Sequence, residues 1–400
     1  MSSAIKKNLP LICVLASITA FGPLSIDMYL PAFPKISQDF NASMANVEMT
    51  LAAFFAGLAL GQIIYGPISD KYGRKKPLYF GLLLYFVSSI FCALTKDINS
   101  LILFRFMQSL GACAGMVISR AVVRDIFEPK DSAKVFSTLM LIMGVAPILA
   151  PLVGSAITQY LDWHWLFYIQ ATLCLLSLIG IHYYLRETRE YAPEYRLRNV
   201  VKNYIGIFKD RNFVGYALAG SFTQAGLYAY LTGSPFVFIE YFGIPSKYYS
   251  LIFGVNVCSF IISSQFNARF VEKFSIPKIL KTVYLFLIFV CCALVLGGLN
   301  SKHILFVSIP LFFYIGSLGF VLPNTTAQAM ANQSKNAGSA SALIGTLQFS
   351  IAAISSGTIS YLQAKNAMVM TTTMAVFGML GIISFYFFII FKLPHINGGR

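Results

Sequence analysis

The sequence predicts an all-α polytopic membrane protein, with twelve transmembrane helices in two six-helix bundles and both termini cytoplasmic. Three observations predict it. Of 400 residues, 57% are hydrophobic and only 11% charged, where a soluble globular domain carries about 25% charge. The mean hydropathy is +0.70, and apolar runs of about 20 residues, the length that crosses a bilayer as a helix, recur along the whole chain. The basic residues are distributed asymmetrically between the connections. With both termini inside, 24 of the 30 Lys and Arg residues fall on the cytoplasmic side, five on the other, and Arg105 inside a span. Positive charge accumulates on the cytoplasmic side of membrane proteins.

The spans are expected near 9–33, 44–68, 77–95, 99–122, 135–158 and 164–185, then near 212–238, 247–268, 278–298, 303–326, 337–361 and 368–391. After Lys6 and Lys7 the apolar run continues to Asp27 without a small-residue cleavage pattern, so it reads as the first span and not as a secretory leader. The polar stretch after span six divides the chain into a first bundle (1–186), a cytoplasmic linker (187–211) and a second bundle (212–400). Within it, residues 196–208 suit a short amphipathic helix on the membrane surface. The loop after span two reads SDKYGRKK, and the loop after span eight, NARFVEKFSIPK, is basic and similarly placed. That pair hints at an internal duplication.

Composition also excludes functions. The formal charge is +15, but its bases sit in short clusters between apolar runs, so nucleic acid is not an expected partner. The seven cysteines all lie in apolar runs without metal-type spacing and read as small buried hydrophobes. There is no G-x-x-x-x-G-K-[ST], no HExxH, and the histidines at 164, 182, 303 and 395 are scattered. The chain is therefore expected to be no enzyme and to bind no metal or cofactor.

The chemistry rests on charges inside spans. Asp27, in GPLSIDMYLPAFP, is the one acid placed deep in a span. A charge at a helix centre costs about 2.5–3.5 kcal/mol on insertion scales, and such residues are functional by default. Asp27 is thus the candidate proton site, in a polar cavity. Arg105, two turns inside span four, is its expected partner, with Gln108 on nearly the same helix face. Glu48, near the outer start of span two, is ambiguous. Span seven, SFTQAGLYAYLTGSPFVF, mixes Gln224 and Ser234 with Tyr228 and Tyr230. Such a wall accepts bulky, partly apolar or cationic molecules by stacking and cation–π contact. Tyr29, Asn324 and Gln348 are further candidate cavity residues.

Two stretches suggest moving parts. In GQIIYGPISDKYGRKKP, Gly61 and Gly66 are expected to let helices approach closely, and Pro67 to stiffen the end of span two. Asp70 suits a helix N-terminus. Gly73, Arg74 and Lys75 form a tight basic turn whose charges can pair with Asp125 or Glu128. In span five, Gly144, Pro147, Pro151 and Gly154 are expected to kink and thin one helix face.

GQIIYGPISDKYGRKKP resembles the signature loop of the major facilitator superfamily, and RFMQSLGA its span-four motif. GPLSIDMYLPAFP, SRAVVRDIF, APILAPLVG, GSPFVF and AGSASALIGTLQFS together resemble the Bcr/CflA group of drug:proton antiporters. The resemblance covers all twelve spans. It implies the major facilitator fold and a multi-pass, monomeric exporter of a bacterial inner membrane, alternating access between two bundles and driven by a proton gradient. It implies proton coupling through Asp27 and Arg105, and gating by Arg120 and Asp125. The expected function is proton-coupled efflux of bulky lipophilic or cationic drugs through a cavity lined by spans one, four, five, seven, ten and eleven. The alternative is export of one endogenous metabolite, such as a siderophore or peptide. The expected partners are a small-molecule substrate, protons and membrane lipid.

Overall fold

The computed structural model describes residues 6–189, 197–300, 303–333, 336–363 and 365–391, so both chain ends and part of the predicted linker lie outside the described residues. Helices account for the fold, and no strand occurs among the described residues. In the first half, α1 is Leu9–Thr19, α2 Phe21–Asp27, α3 Phe33–Asp39, α4 Met44–Tyr72, α5 Lys75–Leu94, α6 Ile98–Ile126, α7 Pro129–Tyr160 and α8 His164–Tyr184. A short amphipathic helix, α9 (Leu197–Phe208), forms where the linker pattern predicts one. The second half holds α10 (Arg211–Ser234), α11 (Ser246–Phe270), α12 (Ile276–Leu299), α13 (Ile304–Met330), α14 (Ala337–Leu362) and α15 (Met368–Phe385).

Among the described residues, ten helical runs are long and apolar enough to cross a membrane. Two long helices fall outside that set, α7 and α10, where the fifth and seventh spans were expected. The reason is composition. The first turns of α7 are PKDSAK, leaving Val145–Tyr160 as a shorter apolar helix. The α10 sequence is rich in Gly, Ser, Thr and Gln.

The first predicted span is not one helix. Pro31 has no N–H to donate to the carbonyl of Asp27. The chain therefore leaves the α-helix after Asp27 and tightens, with Tyr29 N donating to Ile26 O at 3.3 Å. A single 3₁₀ turn, Leu30–Ala32, then leads into α3. The tightening frees the carbonyl of Ser25, whose α-helical donor would be Tyr29 N. By contrast α4 runs through Pro67 to Tyr72, and α7 runs unbroken through Pro147 and Pro151. Gly144 falls outside the residues whose side chains are described.

Small residues set how closely the helices pack. A Cβ on Gly57 of α4 would fall onto Ser109 Oγ and 2.5 Å from the Phe106 carbonyl oxygen of α6. One on Gly61 would lie 2.6 Å from Cys113 Cβ. Gly66 does not share this role, because nothing lies within 4 Å of its Cβ position. Gly154 admits the backbone of Met28, whose carbonyl oxygen occupies the place of a Cβ. Cys92, Cys113, Cys174 and Cys291 are buried as expected, whereas Cys13, Cys258 and Cys292 lie on outward helix faces. Phe80, Leu176 and Phe289 are likewise exposed on helix faces that suit contact with lipid.

The halves meet along two helix pairs, α4 with α14 and α7 with α11. Near the start of α4, Ser360 Oγ donates to the Ala45 carbonyl at 2.5 Å. On the other pair, Ser250 Oγ donates to the Pro151 carbonyl at 2.9 Å. Overpacking a filled contact costs about 1–3 kcal/mol, so Gly57→Val should lower the melting temperature in detergent by several degrees. Gly66→Ala should leave it unchanged. Equal effects from the two would refute this account of the α4–α6 contact.

Candidate transport site

The break in the first span places Asp27 at the end of α2, 4% exposed. Its carboxyl makes no hydrogen bond or ion pair among the described residues. It faces the second half, close enough to Tyr228, Tyr230 and Tyr249 to act on each electrostatically. A buried carboxylate without a partner is costly, so the place suits a group that gains and loses a proton.

Arg105 is fully buried on α6 and does not pair with the Asp27 carboxylate. It reaches the same break through the backbone, where Nη2 donates to the freed Ser25 carbonyl at 2.8 Å. Nη1 donates to Gln108 Oε1 at 2.5 Å. The guanidinium lies 4.3 Å from the ring centre of Phe54 and 4.5 Å from that of Tyr29. Desolvated cation–π contacts are worth about 2 kcal/mol, and here they stand in for a counter-ion. Nε has no hydrogen-bond partner. The Tyr29 hydroxyl bonds Thr50 at 3.0 Å, so Tyr29 packs within the first half.

Gln108 belongs to a buried polar network that the sequence reading did not include. Its Nε2 donates to Ser89 Oγ at 2.7 Å and to Gln170 Oε1 at 2.9 Å. Gln170 Oε1 also accepts from Tyr85, whose hydroxyl bonds Ser25 Oγ at 2.6 Å. The signal was present, since Gln170 sits in the apolar run WLFYIQATLC. The network ties α2, α5, α6 and α8 together beside the break.

The span-seven residues are divided. Tyr228 stands at the seam, its ring 4.6 Å from Phe55 of the first half and 6.1 Å from Phe349 of the second. Gln224 donates to the Tyr228 hydroxyl at 3.2 Å, and its own Oε1 is left unpartnered. Tyr230 accepts from Asn256 at 3.2 Å, and Ser234 bonds the Tyr249 hydroxyl at 2.8 Å. Asn324 donates to Asn267 at 2.6 Å, inside the second half. Gln348 is half-buried on α14.

The signature turn is a clamp. Gly73 takes φ +87°, and a Cβ there would lie 2.8 Å from the Arg189 carbonyl oxygen and the Glu187 carboxylate. Arg74, 4% exposed, donates to Asp70 at 2.7 Å, Asp125 at 2.8 Å and Ser69 at 3.0 Å. Its burial disfavours the charge, but the hydrogen bonds and charges of Asp125 and Asp70 outweigh that and raise its pKa. Glu187 caps the start of α5, accepting from Arg74 N at 2.7 Å and Lys75 N at 3.0 Å. Thr188 donates to Asp125, and Arg189 pairs with Asp70 at 3.1 Å. Glu128, the other acid expected to pair here, makes no ion pair with this turn. The sequence reading placed residues 187–189 at the start of a linker, and the structure makes them part of the clamp.

Between the halves on the clamp side lies a cavity of about 480 Å³. Arg120 and Arg124 line it from α6, one turn apart. Gln62 and Asp70 line it from α4, Asn203 from α9, and Ser341 from α14. Arg120 makes no ion pair among the described residues. None of the eight residues expected to line the substrate cavity borders this space.

A family model described as Major Facilitator Superfamily matches residues 15–358. An uncharacterized MFS-type transporter, YdgK, of Bacillus subtilis is 36% identical over 95% of this chain and 96% of its own length. A bicyclomycin resistance protein homolog of Haemophilus influenzae is 28% identical over 96% of each chain. The fold matches a crystal structure of a D-xylose–proton symporter with a TM-score of 0.74 at 15% identity, covering 95% of this chain and 96% of that one.

Arg74→Lys keeps the charge but not the fork that reaches Ser69, Asp70 and Asp125 together. Losing charge-assisted hydrogen bonds of this kind costs about 2 kcal/mol. Thermal unfolding should therefore start several degrees lower in Arg74→Lys, and an unshifted melting curve would show that the clamp does not hold the fold.

Proposed function

The chain belongs to the major facilitator superfamily of integral, multi-pass membrane transporters, and on that premise we propose that it is a proton-coupled exporter of bulky lipophilic or cationic small molecules. It would act as a monomer in a bacterial inner membrane, with twelve crossings, cytoplasmic termini and no cofactor. The observation that carries the reading is Asp27, a buried carboxyl without a partner at a helix break, facing tyrosines of the opposite half. Its proton and the substrate would compete for one site at the seam.

The geometry supports a path for the cycle. With the basic clamp on the cytoplasmic side, the 480 Å³ cavity opens inward, while Ala45–Ser360 and Pro151–Ser250 hold the outer contacts. Rocking about the α4–α14 and α7–α11 pairs would exchange the open and closed sides. Arg105 would report the state of Asp27, because both hang on the same break, one through a side chain and one through the Ser25 carbonyl. Tyr228 offers an aromatic face at the seam for stacking or for a cation. The Haemophilus relative's name makes bicyclomycin a reasonable first compound, and a cationic dye such as ethidium a second.

Adding either compound to purified protein in weakly buffered detergent should release protons from the wild type. Asp27→Asn should release fewer protons than the wild type while keeping its fold. Undiminished release in Asp27→Asn would move the proton site elsewhere, and Arg105→Lys should transport at least tenfold more slowly without losing substrate binding.

A further inference from the structure

A second buried carboxyl lies at the opposite end of the seam from the clamp. Glu48 is in the second turn of α4, 1% exposed. It makes no hydrogen bond or ion pair among the described residues. It borders a small cavity of about 250 Å³ with Ala45, Phe236 and Lys365. Ala45 is the residue whose carbonyl accepts from Ser360 of the second half. Glu48 therefore sits one turn from a hydrogen bond that joins the halves.

Its charged surroundings are sparse. From the Pro235–Tyr241 segment that continues α10, Glu240 acts on it as a second negative charge. Lys365, beyond α14, borders the cavity but is not within ion-pair distance. On α3, Lys35 is bonded to the Thr158 carbonyl and Asp39 to Trp163 Nε1, so both are engaged with the first half. On α6, Arg105 is engaged with Ser25 and Gln108. The α14 helix carries no charged residue. On α4 itself, Asp70 and Lys71 lie at the far end.

We propose that Glu48 is a second proton-binding site of the transport cycle, and that its proton holds the outer seal shut against Glu240. The proposal rests on the alternating-access reading above. Protonated, Glu48 is a neutral group that the closed seam can bury. Ionised, it is a buried charge without an ion-pair partner, with the like charge of the exposed Glu240 across the seam. Both penalties fall when the halves part and water reaches Glu48. Proton loss at Glu48 to outside water thus favours outward opening, and proton gain from outside favours closure. Glu48 sets the outer seal in this way, while the proton carried to the cytoplasmic side is that of Asp27.

Hydrogen–deuterium exchange of the full-length protein in lipid nanodiscs tests this. After correction for the intrinsic pH dependence of exchange, residues 43–50 and 235–241 should exchange faster as pH rises. One pK unit of coupling between ionisation and opening gives about a tenfold change. Glu48→Gln should abolish the rise and stay protected at every pH. Glu240→Gln should shrink it, and Glu48→Asp should retain it. A wild-type rise that survives in Glu48→Gln, or no rise in the wild type, would overturn the proposal. Asp27→Asn should keep the rise, so failure here is distinct from failure of proton release at Asp27.

Discussion

One missing hydrogen bond organises the candidate transport site. Because Pro31 cannot donate to the Asp27 carbonyl, the first span stops being an α-helix where a carboxyl stands, and the chain tightens around it. The tightening leaves the Ser25 carbonyl free, and the buried Arg105 takes it. The guanidinium would otherwise lack any strong acceptor on the first span. Ser25 Oγ then anchors the Tyr85–Gln170–Gln108 network, which returns to Arg105. A helical residue in place of Pro31 would satisfy the backbone and remove the reason for Arg105 to point there. Gly154 completes the arrangement, since only a residue without a side chain lets α7 lie against Met28 immediately after the break.

Much of this was legible in sequence, and the limits are instructive. Apolar run length located the long helices within a few residues, because backbone polar groups in lipid must be satisfied within a helix. Asp27 and Arg105 were legible because charges are rare in spans. Their relation was not. A pairing argument connects opposite charges at similar depth, whereas the link runs through a backbone carbonyl freed by a proline. Glu187 was read as linker because it follows the last apolar residue of a span. Its role appears only when the turn at Gly73, distant in sequence, is brought against it. Polar span residues expected to face substrate have partners that sequence did not indicate, Gln108 in Ser89 and Gln170 and Asn324 in Asn267.

The two ends of the seam are built from different interactions. The clamp side is polar and well connected, with Arg74 held by Ser69, Asp70 and Asp125, and Glu187 closing the turn. These contacts lie within the first half, so they stiffen a rigid body without locking it to its partner. On the opposite side the packing of α4 on α14 and of α7 on α11 is joined by hydrogen bonds of Ser360 with Ala45 and of Ser250 with Pro151. Stiff halves whose polar links on this side are neutral hydrogen bonds can move as bodies, because such bonds contribute only about 1 kcal/mol net.

On the proposed proton-coupled cycle, the free-energy difference between the open and closed seam sets how much work protons would do. Moving a two-state equilibrium from 1:99 to 99:1 takes about 5.5 kcal/mol of differential binding. One proton contributes about 1.4 kcal/mol for each unit by which its site changes affinity between the states. A lone carboxyl would have to change its affinity by about ten thousandfold to do this unaided. On the proposed cycle, two sites at different depths, Asp27 facing Tyr228 and Glu48 at the seal, would divide the requirement. Each then needs only the change in burial that opening and closing the seam supplies. Substrate binding beside Asp27 would add its own share, which makes the coupling a property of the whole seam and not of one residue.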